Sequence, residues 1–180
     1  LQGWYDWNDF IDEQSYATAL RNALVKGEKA YPETVGLLID TSRNGWGGPK
    51  RPKGASQAKD LPTFVRESGI DKRYHKGNWG NQIGAGIGSP PQANPAPHYH
   101  AYVWVKPPGE SDGSSELIPK GTENPTGKGF DRMCDPTYRG NKLNGNNPTG
   151  AMDKAPVAGR WFHAHFKQLV ENAYPPFRGE

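Results

Sequence analysis

Residues 114–159 show almost no hydrophobic periodicity, and 141–150 form a run of Asn, Gly and Pro with little apolar content. A connection this long inside a compact domain is either functional or disordered. The fold must therefore be one in which loops carry much of the chain. Composition points the same way. Gly (23) and Pro (17) supply more than a fifth of the 180 residues, and 33% are hydrophobic. Ordinary globular domains reach about 45–50%, a figure that includes Gly. The length fits one domain of roughly 150 residues, but this apolar content is thin for a complete core. Six Trp, eight Tyr and six Phe argue against simple disorder, because aromatic rings bury large areas and disordered segments usually lack them.

Several classes are excluded at this level. No window approaches the roughly 18 consecutive apolar residues that a membrane helix needs. Leu1-Gln2-Gly3 has no basic, apolar, small-residue layout, so neither a membrane protein nor a chain carrying its export signal is expected. One Cys rules out an internal disulfide framework. The 22 Lys+Arg against 19 Asp+Glu leave a net charge of +3. Lys50-Arg51-Pro52-Lys53, Lys72-Arg73 and Lys76 therefore read as a solvated surface rather than a nucleic-acid site.

The elements follow from periodicity. Phe10, Ala17, Leu20, Ala23 and Leu24 recur at helical spacing, predicting a helix over residues 11–26 with Asp9 or Asp12 as cap. Val35-Gly36-Leu37-Leu38-Ile39 reads as a buried strand that delivers Asp40 to the loop Thr41-Ser42-Arg43-Asn44-Gly45-Trp46-Gly47-Gly48. Residues 61–68 suit one or two helical turns. Ala101-Tyr102-Val103-Trp104-Val105 predicts a second strand, which Pro107-Pro108 must end. A final helix is expected over 161–172, stopped by Pro175-Pro176. This order is α/β, without solenoid or propeller repeats.

Both strands end in polar loops bearing acids, Asp40 in one and Lys106, Glu110 and Asp112 in the other. In barrels and open α/β sheets reactive groups gather at the carboxyl ends of parallel strands, so the two sets are expected in one cleft. Pro107-Pro108-Gly109 stiffens the second loop, and Lys106 and Arg43 can keep Asp112 ionised. A positioned carboxylate can activate water, while solvated loop charges are an equally good reading of the bare pattern. Trp46 and Trp79 sit among Gly, Asn and Gln, where a ring can offer its face to a sugar while amides bond its hydroxyls. Packing is the expectation for Trp104 and Trp161, a ligand role for Trp79. His98 and His100 have strand spacing for one side, and His163 and His165 fall on different helix faces. With no acid close by, these histidines are read as packing groups and no metal site is expected.

The blocks Ile39-Asp40-Thr41-Ser42-Arg43-Asn44-Gly45-Trp46-Gly47-Gly48, Gly77-Asn78-Trp79, Val103-Trp104-Val105-Lys106-Pro107-Pro108-Gly109-Glu110-Ser111-Asp112-Gly113, Phe130-Asp131-Arg132-Met133-Cys134-Asp135-Pro136, and Trp161-Phe162 through Tyr174-Pro175-Pro176 occur in order across nearly the whole chain. Together they resemble the C-terminal portion of glycoside hydrolase family six. The long loop after Asp131 is similar to that of its bacterial cellobiohydrolases rather than its open endoglucanases.

This resemblance implies that residues 1–180 are the C-terminal part of one catalytic domain, a distorted (β/α) barrel with long loops. It implies exo-acting, inverting hydrolysis of β-1,4-glucan without a cofactor, with cellulose or cello-oligosaccharides as partners, and an extracellular setting. Asp112 matches the proposed catalytic base, Arg43 its ion-pair partner, and Asp40 a supporting carboxylate. Lys106 and Glu110 match substrate contacts and Trp79 a glucosyl platform, while Asn78 and Trp46 are expected as sugar contacts from their own setting among Gly and amides. Two departures stand out. The blocks that carry the family's general acid are not found, so the chain is expected to be inactive alone and to need the N-terminal part of the barrel. Gly80 stands where the family has a cysteine, so the resemblance leaves Cys134 without its disulfide partner and the loop held some other way. A non-catalytic glucan-binding fragment and an endo-acting glucanase are the competing readings.

Overall fold

The structure is a computed structural model that describes residues 13–27, 31–45, 56–60, 63, 67, 73–75 and 77–177. Its elements are α1 (Glu13–Lys26), β1 (Leu37–Asp40), β2 (Gln92–Ala93), β3 (Tyr99–Val103) and α2 (His163–Glu171), with short 3-10 turns at Arg132–Cys134 and Lys142–Asn144. The three strands form one sheet in the order β1-β3-β2. β1 runs parallel to β3, pairing Leu38 with Ala101 and Asp40 with Val103, and β2 runs antiparallel to β3. Most of the predicted turns over 61–68 and most of the basic stretches lie outside the described residues.

Both strands begin or end where competing hydrogen bonds take over. Val35 N–H is spent in a turn on Pro32 O, and β1 starts when Leu37 N–H reaches His98 O. β3 begins two residues earlier than expected and stops at Val103, whose carbonyl accepts the last ladder bond from Thr41 N–H. Trp104 then leaves the ladder, donating its indole Nε1–H to Ser89 O at 3.0 Å, and the prolines keep the chain out. β1 is also less buried than its apolar run suggested, because Leu38 is 60% exposed.

α1 is anchored differently from its predicted apolar face. Leu20 and Leu24 are exposed, and the buried residue is Arg21. Its guanidinium donates to Val35 O at 2.8 Å and also to Glu33 O, clamping the segment that leads into β1. Thr18 Oγ1 and Tyr99 Oη meet at 2.9 Å, tying the helix to β3. A buried guanidinium is tolerable only because carbonyls take its donors. Phe10, Asp9 and Asp12 lie outside the described residues.

The core is small, in keeping with the composition. Ala85, Ile87, Leu169 and Ala173 form it, with Trp104 and Phe166 packed against them. Ile87 bonds both ways to the end of α2, accepting from Tyr174 N–H and donating to Leu169 O. The loop after β1 crosses this segment closely enough that a Cβ on Gly45 would fall 1.8 Å from Ile87 O. Only a glycine fits there.

Residues 114–159 are folded by polar side chains instead of periodic packing. Asn124 bonds Ile118 O, Lys128 O and Lys128 N–H. Ser115 Oγ donates to Met152 O and accepts from Ala155 N–H, and Thr149 Oγ1 donates to Asp135 O. α2 starts two residues later than expected. Phe162 N–H bonds Gly109 O and Ser111 N–H bonds Arg160 O, so residues 159–162 pair with the acid-bearing loop before the helix begins.

Candidate active site

The parallel pairing of β1 and β3 brings their carboxyl ends side by side, and the two polar loops meet there. Asp40 accepts from Ser42 N–H through Oδ1 at 3.0 Å and from Lys106 N–H through Oδ2 at 3.3 Å. It therefore works as a clamp between the loops. Further into the two loops the charges converge. Arg43 Nη1 donates to Asp112 Oδ2 at 2.6 Å, and Lys106 Nζ lies 3.3 Å from Asp112 Oδ1 and 2.9 Å from Glu110 Oε1. Two cations thus face two carboxylates. The Asp112 side chain is only 7% exposed, a burial that a carboxylate tolerates when charged donors surround it.

The loop carrying Asp112 is held from below. Ser111 Oγ donates to Pro156 O at 2.7 Å, and residues 109–111 pair with 159–162. Gly109 adopts φ +89, and a Cβ there would strike the Trp161 ring. This position requires glycine on both counts. Trp161, expected to be a packing residue, does pack on Phe166 with ring centroids 4.8 Å apart, yet remains 57% exposed.

Residues 78–82 approach from the side. Trp79 is 43% exposed and the amides around it are not. Asn78 is fully buried, donating to Pro148 O at 2.8 Å and accepting from Asn144 Nδ2 at 3.0 Å. Gln82 Nε2 donates to Gly80 O and Thr149 O. The expectation that these amides bond a sugar is corrected here, for Asn78 above all. They are spent on the protein, and they are what holds the Trp79 loop in place of a disulfide. Gly80 lies directly on Cys134, where a Cβ would come 2.5 Å from Sγ. Burial, then the charge of Asp112, pushes the Cys134 thiol up to about 12, so it is neutral and unreactive.

Sequence reasoning missed Asn81. Asn81 donates its backbone N–H to Asp112 Oδ2 at 2.7 Å, and its side chain accepts from Asp112 N–H at 2.9 Å. Its presence in an Asn-Trp-Gly-Asn-Gln cluster was the available signal. His165 is fully buried, and neither ring nitrogen meets a partner among the described residues. Burial is the main cause that lowers it to about 4. His163 lies on the exposed face, as the spacing required. His98 and His100 are both exposed. Among the described residues no three His, Cys, Asp or Glu side chains group to hold a metal, and no helix is long and apolar enough to cross a membrane. Trp46 lies outside the described residues.

A carboxylate fixed between cations stands at the ends of two parallel strands, bonded to the Asn81 N–H two positions after an exposed indole. The sequence pattern of the Glycosyl hydrolases family 6 matches residues 2–173, and the chain belongs to that family. It is 49% identical over 179 residues to exoglucanase A of Cellulomonas fimi, covering 97% of this chain and 20% of that protein. It is 33% identical to the 1,4-beta-D-glucan cellobiohydrolase CEL6A of Pyricularia oryzae, covering 94% and 26%. Among solved structures, the catalytic domain of Cellulomonas fimi Cel6B superposes with a TM-score of 0.79 at 46% identity, covering 94% of this chain and 38% of that one. The Humicola insolens cellobiohydrolase Cel6A, solved with glucose and cellotetraose, superposes at 0.52 with 30% identity, covering 92% and 34%. The chain thus spans between a fifth and two fifths of the length of these relatives. Its mixed helix and strand content agrees with their catalytic domains.

Proposed function

We propose that this chain is the C-terminal part of a distorted-barrel catalytic domain that hydrolyses β-1,4-glucosidic bonds of cellulose with inversion, releasing cellobiose in an exo mode outside the cell. The observation that carries this reading is the Asp112 carboxylate, fixed by Arg43, Lys106 and the Asn81 N–H, with the exposed Trp79 two positions before Asn81 in the chain. Family membership and relatives described as exoglucanases and cellobiohydrolases support it.

In this reading Trp79 stacks on a glucosyl ring, and Lys106 and Glu110 bond sugar hydroxyls beside the cut. Asp112 removes a proton from water as its oxygen bonds to the anomeric carbon and the bond to the leaving sugar breaks. The leaving oxygen takes its proton from an acid outside this chain, because inversion needs the two carboxyl groups about 6.5–9.5 Å apart with water between. Asp40 is not that acid, since both of its oxygens accept from loop N–H groups.

The test is a reducing-sugar assay on this chain, and on this chain joined to the N-terminal part of a family catalytic domain. The joined protein is expected to turn over soluble cello-oligosaccharides, the chain alone to bind them without turnover. Asp112→Ala in the joined protein should lower kcat strongly with less effect on binding. Unchanged turnover in that variant removes Asp112 from the mechanism. Binding without turnover even in the joined protein favours a glucan-binding fragment.

A further inference from the structure

We propose that Asn81 is the positioning residue of Asp112 and the link that ties its geometry to the Trp79 platform. The catalytic part of this inference rests on the reading of Asp112 as proton acceptor.

Asn81 and Asp112 hold each other reciprocally. The Asn81 N–H donates to Asp112 Oδ2 at 2.7 Å, and Asn81 Oδ1 accepts from Asp112 N–H at 2.9 Å. Asn81 Nδ2 then donates to Gly113 O at 2.8 Å and to Ser111 Oγ at 3.3 Å. One fully buried residue therefore fixes the side chain of Asp112, its backbone and both neighbours in sequence. Its own backbone is held in turn, because Asn81 O accepts from Met152 N–H at 2.9 Å.

The conformation of Asn81 supports a dedicated role. Its φ is +26, in a region that side chains other than Gly rarely adopt and that persists only where surrounding bonds enforce it. Asn tolerates such a backbone better than most residues and supplies both the acceptor and the donors used here.

The clamp also selects an oxygen. Oδ2 takes two short donors, Arg43 at 2.6 Å and the Asn81 N–H at 2.7 Å. Among the described residues Oδ1 faces Lys106 Nζ alone, at 3.3 Å, a group shared with Glu110 and Ser111 O. With Oδ2 so occupied, Oδ1 is the oxygen left to take the proton from water. Trp79 lies two positions before Asn81 in the chain. A sugar that seats on the indole and shifts that segment therefore moves the N–H on Oδ2, and platform and base become one mechanical unit.

Asn81→Gly tests this, because glycine keeps the backbone conformation and N–H and removes only the side-chain clamp. In this chain, amide hydrogen exchange at Asp112 should quicken about tenfold or more while Ile87 and Leu169 amides keep their rates. Asn81→Ser, whose hydroxyl is too short to span to Asp112 N–H and Gly113 O together, should quicken the same exchange and serves if the glycine variant does not fold. An Asp112 amide unchanged in Asn81→Gly overturns the clamp whatever Asp112 does. In the joined catalytic protein, Asn81→Gly should lower kcat about 10- to 100-fold with KM held within about twofold. Normal kcat in Asn81→Gly where Asp112→Ala is inactive overturns the positioning role alone. Normal kcat in both variants shows that the reading of Asp112 has failed and takes the catalytic role of Asn81 with it, while the exchange result still reports on the clamp.

Discussion

Arg43 Nη1 sits 2.6 Å from Asp112 Oδ2 across two loops that follow neighbouring parallel strands, one after β1 and one after β3. The pair is asymmetric: Arg43 is 31% exposed and Asp112 is 7% exposed. Removing the arginine leaves a carboxylate that is nearly buried yet still bonded to Asn81 N–H and Lys106. Arg43→Ala should therefore cost about 1–3 kcal/mol, short of the full penalty for orphaning a buried charge. Lys167–Glu171 on α2 is the control, a solvated pair at 3.7 Å, and Lys167→Ala should change stability by less than about 1 kcal/mol. Urea unfolding of the two variants checks the contrast, and equal losses would mean that the Asp112 pair behaves as a surface pair.

Trp79 stands out of its loop while the amides beside it are buried, so its ring is held without being covered. Trp79→Ala should weaken cello-oligosaccharide binding by about 1–3 kcal/mol, if stacking on a sugar is worth what other aromatic burial is worth. The urea midpoint should move little, because the ring packs only partly. Calorimetry giving the wild-type affinity together with a large loss of stability would return Trp79 to a packing role.

How much of this was legible depends on how local the controlling interaction is. The two strands and the acid-bearing loop could be read because apolar runs, Pro107-Pro108 and Asp40 act within a few residues of themselves. Ion pairing of Arg43 with Asp112 was implied by the family resemblance and is present. The amides of Asn78 and Gln82 were misjudged because their partners, Pro148, Thr149 and Asn144, come from a loop with no periodicity to place it. Whether an Asn faces a ligand or a carbonyl is decided by that distant loop and leaves no trace in spacing. Arg21 escaped notice for the same reason, its carbonyl partners lying beyond the helix. The apolar spacing of α1 predicted a covered face, and Leu20 and Leu24 are exposed.

Gly80 and Cys134 touch, and a Cβ on Gly80 would stand 2.5 Å from Sγ and 3.0 Å from Met133 O. Gly80→Ala has no way to relieve that crowding and should destabilise the chain by about 1–3 kcal/mol. Gly80→Cys meets the same crowding when reduced, but a small shift converts the contact into a bond. Oxidised, it should gain about 2–4 kcal/mol over its own reduced form. The neutral, buried thiol is a poor nucleophile, so the bond should form on refolding in oxidant rather than on adding oxidant to folded protein. Urea midpoints with and without reductant decide the matter. Identical midpoints would show that the two segments separate more readily than their contact suggests.

His165 makes stability depend on pH in a definite direction. Burial lowers its pKa from 6.5 to about 4, with Arg43 and Lys106 acting the same way and Asp112 opposing them. Between these values the unfolded chain binds a proton that the folded chain refuses, so stability falls as pH drops from about 6.5 towards 4 and is fully present above that window. The loss across it is on the order of 3 kcal/mol. His165→Leu should flatten the stability profile in this window, because the leucine fills apolar surroundings without titrating. Urea unfolding at pH 7, 5.5 and 4.5, values chosen to bracket about the middle of the window, measures both profiles. Wild-type and His165→Leu curves with the same slope would mean that the ring is protonated in the folded chain, with its nitrogens partnered.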